Sequence, residues 1–335
     1  MSRSTVVAHP NIALSKYWGK RDGGGNVPAV PSLSVTLEGM STRTTVRFGE
    51  DLATDRFVLD GAEVRGEPRD RVSQLLDRVR VASGDERRAD VVSRNDFPTA
   101  SGLASSASGF AALALAAVRA AGLDWDAERV SDLARRSSAS AARSLFGGFV
   151  ELDPRKAKSS GRSDLDVLGA VCVAPSLHLD LAVLVCVTSE RAKAIGSTGG
   201  MRVTAERSPY YRAWLDEAPR LHERLRAALL AHDFEAMGYC AEASALAMHA
   251  SAIAAGVVYW NAATVDALAA VRGLRGSGLA AFATVDAGPH VKVLTLASDA
   301  ATVERTMRAV PGVLRVLRTR PGDGARVVER EDAAS

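Results

Sequence analysis

The stretch Asn95-Asp-Phe-Pro-Thr-Ala-Ser-Gly-Leu-Ala-Ser-Ser-Ala-Ser-Gly109, followed by the apolar run Phe110-Ala-Ala-Leu-Ala-Leu-Ala-Ala-Val118, decides how the chain is read. Small residues at Ala100, Ser101, Gly102, Ala104, Ser105, Ser106 and Gly109 let the backbone approach a ligand closely, and Gly102 permits a tight turn. The apolar run reads as a helix, so a small-residue loop feeds a helix N-terminus. Unpaired N–H groups and the positive end of the helix dipole suit a phosphate there. Ser105 and Ser106 add hydroxyls able to bind phosphate or a magnesium ion. An Ala/Ser-rich buried helix with a flexible lead-in explains these residues equally well. No Gly-Lys-Ser/Thr follows, so the stretch is not a Walker A loop.

The chain has 335 residues, enough for one large domain or two, and 47% hydrophobic with 24% charged residues is ordinary for a globular protein. A net charge of +3 does not demand a basic nucleic-acid surface, and no aromatic-basic stripe occurs. Cys172, Cys186 and Cys240 have no metal-ligand spacing and are too few for a disulfide framework, so they read as buried thiols in a reducing, cytoplasmic setting. No apolar run reaches bilayer length, and His9, Asn11 and Lys16 interrupt the first hydrophobic segment. Of 42 basic residues only six are lysines: Lys16, Lys20, Lys156, Lys158, Lys193 and Lys292. Two of them stand four apart near the start, in a chain that otherwise uses arginine.

Alternating patterns predict strands at Val6–Ala13, Ser32–Leu37, Thr42–Phe48 and Ala89–Ser93, and a hairpin over Arg56–Val64 turning at Asp60-Gly61. Helical spacing appears over Arg69–Ala82, Asp124–Arg136, Pro209–Met248, Thr264–Leu274 and Ala301–Val310. Leu177–Thr188, Leu279–Thr284 and His290–Leu296 read as later strands, Ser197-Thr-Gly-Gly200 as a second small-residue loop, and the tail after Arg320 as frayed. Strands mixed with helices and local hairpins predict an α+β fold, with a boundary near residues 175–180.

Four patches are polar or glycine-rich between apolar neighbours. The first holds Asn11, Lys16, Tyr17 and Lys20; the second is the loop at 98–109. In the third, Ser138, Ser140 and Arg143 could hold a carboxylate or phosphate, or simply cap a helix beside a surface arginine. In the fourth, Asp286 of Val-Asp-Ala-Gly-Pro-His follows an apolar strand, placed to act as a general base or to anchor a turn. The six histidines show no zinc spacing.

Taken together, Asn11-Ile-Ala-Leu-Ser-Lys-Tyr-Trp-Gly-Lys-Arg-Asp22, Phe97–Gly109, Ser138-Ala-Ser-Ala-Ala-Arg-Ser-Leu-Phe-Gly-Gly148 and Asp286-Ala-Gly-Pro-His290 resemble the signature segments of the diphosphomevalonate decarboxylases, in the GHMP kinase superfamily. Gly196–Met201 and Met248-His-Ala250 are similar to further family segments. The resemblance implies an α+β, two-lobed GHMP-kinase-like fold, with an N-terminal α/β lobe (ribosomal protein S5 domain 2-like, residues 1–178), a C-terminal ferredoxin-like lobe (179–335) and a cleft between. It implies ATP and Mg²⁺, a homodimer, and phosphorylation of the 3-hydroxyl of mevalonate 5-diphosphate followed by loss of phosphate and carbon dioxide to give isopentenyl diphosphate. Within the superfamily, a decarboxylase of the 5-monophosphate or a 3-kinase is the rival reading; outside it, a non-catalytic protein binding nucleotide or an isoprenoid intermediate.

By position, the resemblance makes Asp286 the group that orients or deprotonates the 3-hydroxyl, and Arg143 the holder of the C1 carboxylate. Tyr17, Lys20, Ser138, Ser140 and Ser197 become contacts for the 5-diphosphate, while Lys16 and Asn11 face the reacting phosphoryl group. Gly102, Leu103, Ala104, Ser105 and Ser106 match the ATP phosphate loop, with Ser106 near Mg²⁺ and Lys193 as a further phosphate contact. Departures occur at Pro28-Ala-Val-Pro-Ser32, where the family usually has a Thr-Asn-Ser-Ser or Thr-Asn-Asp-Ser run, and at His290, where it usually has asparagine. Pro31 lacks an N–H, which puts substrate contacts from that loop in question.

Overall fold

The computed structural model describes residues 2–21, 23–97, 105–157, 167–191 and 193–331. Gly102, Leu103 and Ala104 lie outside the described residues, as do residues 158–166. The first apolar stretch is two strands, β1 (Ser2–Ala8) and β2 (Asn11–Ser15), where the sequence predicts one. The break falls at His9-Pro10, since proline has no N–H for a ladder. Then come β3 (Ser32–Thr36), β4 (Thr42–Gly49), β5 (Arg56–Leu59), β6 (Ala62–Glu63), α1 (Glu67–Ser83), β7 (Arg88–Asn95), α2 (Ser105–Ala120) and α3 (Ala127–Ser137). The hairpin β5–β6 turns at Asp60-Gly61, both with positive φ (50° and 86°), the conformation that a two-residue turn needs. A 3₁₀ segment, Ala139–Leu145, leads to β8 (Phe149–Leu152) and β9 (Val171–Ala174).

The second half holds β10 (Leu181–Val187), α4 (Ser197–Arg207), α5 (Tyr211–Leu230), α6 (Phe234–Ala254), α7 (Ala262–Gly276), β11 (Ala281–Val285), β12 (Val291–Leu296), α8 (Ala300–Arg308), β13 (Arg315–Thr319) and β14 (Arg326–Glu331). Two expectations are corrected here. Ser197-Thr-Gly-Gly200 is the first turn of α4, not a loop: two glycines do not stop a helix once its later turns are packed. The tail after Arg320 is not frayed, because β14 pairs antiparallel with β1 and forms the edge of the N-terminal sheet. That pairing joins residues more than 300 positions apart, which no local pattern can signal. The chain thus returns to its first half at the end, across the expected division at 178 and 179.

Among the described residues there are three sheets. The six-stranded sheet, β14-β1-β4-β7-β5-β6, packs one face against α1, α2 and α3. The mostly alanine buried side of α2 lets it lie close to β1 and β4. A second sheet, β2-β3-β8-β9, shares one apolar core with α5, α6 and the third sheet, so the two halves of the chain are joined by continuous packing. The third sheet, β11-β12-β10-β13, is antiparallel in the strand order of a split βαβ unit, which is the ferredoxin-like arrangement. Its central strand β10 is wholly apolar, Leu-Ala-Val-Leu-Val-Cys-Val, and fully buried. Successive side chains alternate in direction, so Leu181, Val183, Val185 and Val187 join the core under α5 and α6, while Leu184 and Cys186 join that under α7 and α8.

One contact fixes how close α6 comes to β11. A Cβ at Gly238 would stand 2.1 Å from Phe282 Cδ2. The Gly238→Ala substitution is expected to lower stability by roughly 1–3 kcal/mol through overpacking, despite the better helix propensity of alanine. Urea unfolding checks this, and unchanged stability would mean that the α6–β11 spacing is slack.

Candidate active site

β2 carries a bulge: Ala13 pairs with Ser34, then the register shifts so that Ser15 pairs with Leu33. The irregularity frees the Ala13 carbonyl, which accepts from Lys16 Nζ at 2.8 Å. The backbone N–H of Lys16 donates to Ser244 Oγ on α6 at 2.9 Å, so strand end and helix together place this side chain. Asp286 follows β11, and the β11–β12 register sets Thr284 opposite Lys292. Two ammonium groups consequently reach one carboxylate. Lys16 Nζ lies 2.6 Å from Asp286 Oδ1, and Lys292 Nζ lies 3.0 Å from Oδ2. Both lysines are buried, at 2% and 1% exposure, while Asp286 keeps a third of its side chain open.

Desolvation works against the charge on Asp286, but the two lysines outweigh it and hold the carboxyl well below the usual range. Lys16 moves the other way: burial brings it down to about 8, although Asp286 opposes the shift. At neutral pH the pair is ionised. Arg143, in the 3₁₀ segment, is also buried, and desolvation lowers it to about 10. Its Nε donates to Ser34 Oγ at 3.0 Å and its Nη1 to Ser32 Oγ at 2.8 Å. Among the described residues no carboxylate pairs with it, yet the fields of Tyr17 and Asp286 both act on it. A buried guanidinium held only by hydroxyls is a place for an anion.

Around this centre the remaining candidates fall into groups. Tyr17 has its hydroxyl buried without a partner, and burial raises it far above the usual phenol range. Asn11, expected to face the reacting phosphoryl group, donates its amide to the Ser140 carbonyl (3.0 Å) and Ser144 Oγ (2.8 Å), tying β2 to the 3₁₀ segment. Ser138 and Ser140 hydroxyls lie 3.2 Å apart. Lys20 Nζ donates to Asn26 Oδ1 (2.7 Å) and Thr198 Oγ1 (3.1 Å), and Lys193 Nζ to Ser197 Oγ (3.1 Å) and the Ala287 carbonyl (3.2 Å). Ser197 and Thr198 open α4, so hydroxyls, a helix N-terminus and two lysines converge there. Ser105 and Ser106 line a separate cavity of about 200 Å³ at the start of α2, with Phe57, Phe110, Ser93 and Asn95. Arg71 links the two regions: it lines that cavity, lies over the Phe110 ring, donates to the Ser137 carbonyl and lowers the pKa of Lys20.

Two departures from the motifs find explanations. His290 Nδ1 accepts the Thr188 N–H at 3.1 Å, pinning the Asp286 loop to the end of β10. Burial holds this histidine down to about 4, so it is neutral and able to accept. Val30 is buried beside Trp18, Trp214 and Tyr259, so Pro28–Pro31 packs into an apolar cluster. Sequence reasoning missed Lys292, Ser32, Ser34 and Arg71. A lysine inside an otherwise apolar strand was a signal for the first, and two serines at i and i+2, hence on one strand face, for the next pair. Arg71 had none. Cys172 is exposed, contrary to the expectation of three buried thiols.

The comparisons with known proteins agree with this geometry. Residues 8–163 match the family described as diphosphomevalonate decarboxylase-like N-terminal domain, and residues 183–321 match the mevalonate 5-diphosphate decarboxylase C-terminal domain. A phosphomevalonate decarboxylase of Haloferax volcanii is 34% identical over 91% of this chain and 92% of its own. The crystal structure of mevalonate diphosphate decarboxylase from Staphylococcus aureus superposes with a TM-score of 0.91, at 34% identity over 98% of each chain. The structure described as MDDEF in complex with MVAPP, AMPPCP and magnesium gives 0.89, at 35% identity over 98% of this chain and 99% of that one.

Removing the second ammonium from the centre has a direct readout. Lys292→Met is expected to raise the pKa of the Asp286 carboxyl, followed as the ¹³C shift of that carbon against pH. A titration that does not move would show that Lys292 has no part in keeping Asp286 ionised.

Proposed function

The chain belongs to the diphosphomevalonate decarboxylase family, and from that membership and its site we infer that it converts mevalonate 5-diphosphate and ATP to isopentenyl diphosphate, ADP, phosphate and carbon dioxide. The observation that carries the reading is a buried, acid-free Arg143 beside an aspartate braced by two lysines. A tertiary alcohol leaves poorly until it is phosphorylated, so the site must first align the 3-hydroxyl with a phosphoryl donor. Asp286 serves as the hydrogen-bond acceptor that orients this hydroxyl; with its proton affinity held so low it is a weak base. Phosphoryl transfer through a loose transition state asks for alignment and charge neutralisation more than for early proton removal.

Lys16 neutralises charge on the transferred group, and Lys193 and Ser197 extend that cationic border. Arg143, kept rigid by Ser32 and Ser34, holds the C1 carboxylate so that the breaking C–C bond is aligned with the departing 3-phosphate. The cavity lined by Phe57 and Phe110 suits a purine, with the phosphates running toward Ser105 and Ser106 at the N-terminus of α2. No group of three or more acidic, histidine or cysteine residues is gathered for a metal among the described residues. Such a site suits magnesium, which keeps few protein ligands, and Ser106 would be the residue to hold it. When bound it would offset charge on the phosphate oxygens.

The Haloferax relative acts on the monophosphate, so the second phosphate is the point of choice. Lys20 and Arg71 lie close enough to interact, and their hydrogen-bond partners are neutral. Two cations with no acidic partner among the described residues favour the more highly charged diphosphate tail. The same reading places the protein in the cytoplasm, supported by three free thiols, and makes it a homodimer by resemblance.

Purified protein with ATP, Mg²⁺ and either mevalonate 5-diphosphate or its monophosphate is expected to release ADP and carbon dioxide together, faster with the diphosphate. Asp286→Asn should lower turnover by at least ~10²–10³, the usual cost of losing one preorganised polar group, while ATP still binds. ADP without carbon dioxide would leave a kinase, and neither product a binding protein. Because Lys16 is charged below about 8 and loses its proton as pH rises through that value, kcat/KM should fall on the alkaline side with a midpoint near 8. A profile level to pH 10 would remove the Lys16 ammonium from the mechanism.

A further inference from the structure

A second polar array lies outside the cleft and has no part in the chemistry described so far. Ser15, His222 and Glu151 come from β2, α5 and β8, and each is 1% exposed. Ser15 Oγ lies 2.9 Å from His222 Nδ1, and His222 Nε2 lies 2.9 Å from Glu151 Oε1. A carboxylate can only accept, so His222 Nε2 carries a proton and donates it to Glu151, while Nδ1 faces the Ser15 hydroxyl. Glu151 is ionised, because His222 and Lys156 together outweigh its burial and hold it at about 2. Lys156 donates to its other oxygen, and Arg226 Nε lies 3.2 Å away.

What this array touches gives it significance. Ser15 Oγ also accepts the Leu33 N–H at 2.7 Å, at the place where the β2–β3 register shifts. A side-chain oxygen thus takes the donor that the bulge would leave unpaired, and one buried serine is held by two partners, the Leu33 N–H and His222. The next residue is Lys16. Its ammonium spans the Ala13 carbonyl, at the start of the register shift, and Asp286, so the course of the strand through the bulge bears on its reach. The groups whose charge acts on Lys16 are Asp286 and Lys292 from the β11–β12 hairpin, Arg143 from the 3₁₀ segment and His249 from α6. None of these sets the course of the β2 backbone; Ser15 does.

We propose that Ser15, His222 and Glu151 are positioning residues, a buried hydrogen-bonded chain that locks the β2 bulge and thereby aims the Lys16 ammonium at Asp286 and the reacting phosphoryl group. The kinetic consequence rests on the decarboxylase reading, whereas the placement of Lys16 does not. A hydroxyl that accepts from one strand and is hydrogen-bonded to a histidine backed by a carboxylate has little rotational freedom, and support of this kind determines how closely a reacting group is held.

Ser15→Ala removes the hydroxyl with a small change in volume, and Ser15→Thr restores it. His222→Gln keeps a donor toward Glu151 but shortens the reach to Ser15. With six lysines in the chain, ¹³C-labelled lysine gives a resolvable NMR signal for Lys16 and reads its environment without any turnover. The proposal expects Ser15→Ala and His222→Gln to shift the Lys16 signal and its titration midpoint, and Ser15→Thr to restore both. In the decarboxylation assay the first two should lose roughly tenfold in kcat with KM for ATP held within about twofold, about 1.4 kcal/mol of transition-state stabilisation. A Lys16 signal and midpoint unchanged in a folded Ser15→Ala protein would overturn the proposal, whatever its melting temperature. A shifted Lys16 signal in an enzyme that turns over no substrate would uphold it and instead count against the decarboxylase reading. Should Ser15→Ala fail to fold, His222→Gln decides by the same measurements.

Discussion

The structure turns on a charge imbalance that it cannot relieve by itself. Lys16, Lys292 and Arg143 are withdrawn from water around one partly open carboxylate, Asp286, so among the described residues three positive charges face a single negative one. Taking an ammonium or guanidinium out of water costs several kcal/mol, and mutual attraction repays it only when each charge is matched. Here the matching is incomplete, and a bound anion completes it. The local destabilisation is tolerated because the surrounding core is extensive, and because every unmatched cation is held by hydroxyls or carbonyls that keep its direction without neutralising it.

Each arm of the cluster is supplied by a different element, and the packing between those elements sets the geometry. The β11–β12 hairpin gives Asp286 and Lys292 by register alone. Lys16 depends on the bulge in β2 and on Ser244 from α6; Arg143 depends on a short 3₁₀ turn held to β2 by Asn11 and to β3 by two serines. The continuous core of β2, β3, β8, α5, α6 and the third sheet is therefore what brings the charges together. Two halves with separate cores and a loose contact could not hold ammonium and carboxylate at 2.6 Å. Because α6 meets β11 through a glycine and meets β2 through a serine, one helix governs the distance between Lys16 and Asp286.

The candidate site was legible in the sequence to the extent that it consists of local motifs. Asp286, Arg143, Lys16 and Tyr17, drawn from three distant segments, lie close enough to act on one another, while most of the glycine-serine loop of the joint reading lies outside the described residues. The hairpin at Asp60-Gly61, the helix after the glycine-serine stretch and the alternating strands all follow from short-range periodicity and turn chemistry. Less legible were the groups whose meaning is a partner far away in sequence. Ser32 and Ser34 look like strand residues until Arg143 arrives from more than a hundred positions on. His222 sits in a helix full of charged residues, and only burial distinguishes it.

By itself the sequence determined the class of fold, many of its strands and helices, and the residue types that stand in the candidate site, because those depend on periodicity, turn residues and side-chain chemistry within a few positions. Only the tertiary structure decided that the last strand returns to pair with the first, that a second lysine shares Asp286, and that Arg71 both lines the cavity at the start of α2 and reaches the Ser137 carbonyl. The physical reason is the same for all three. Strand pairing, ionic contact and cavity shape are properties of surfaces that meet across the chain, and their energies appear once water has been excluded between them.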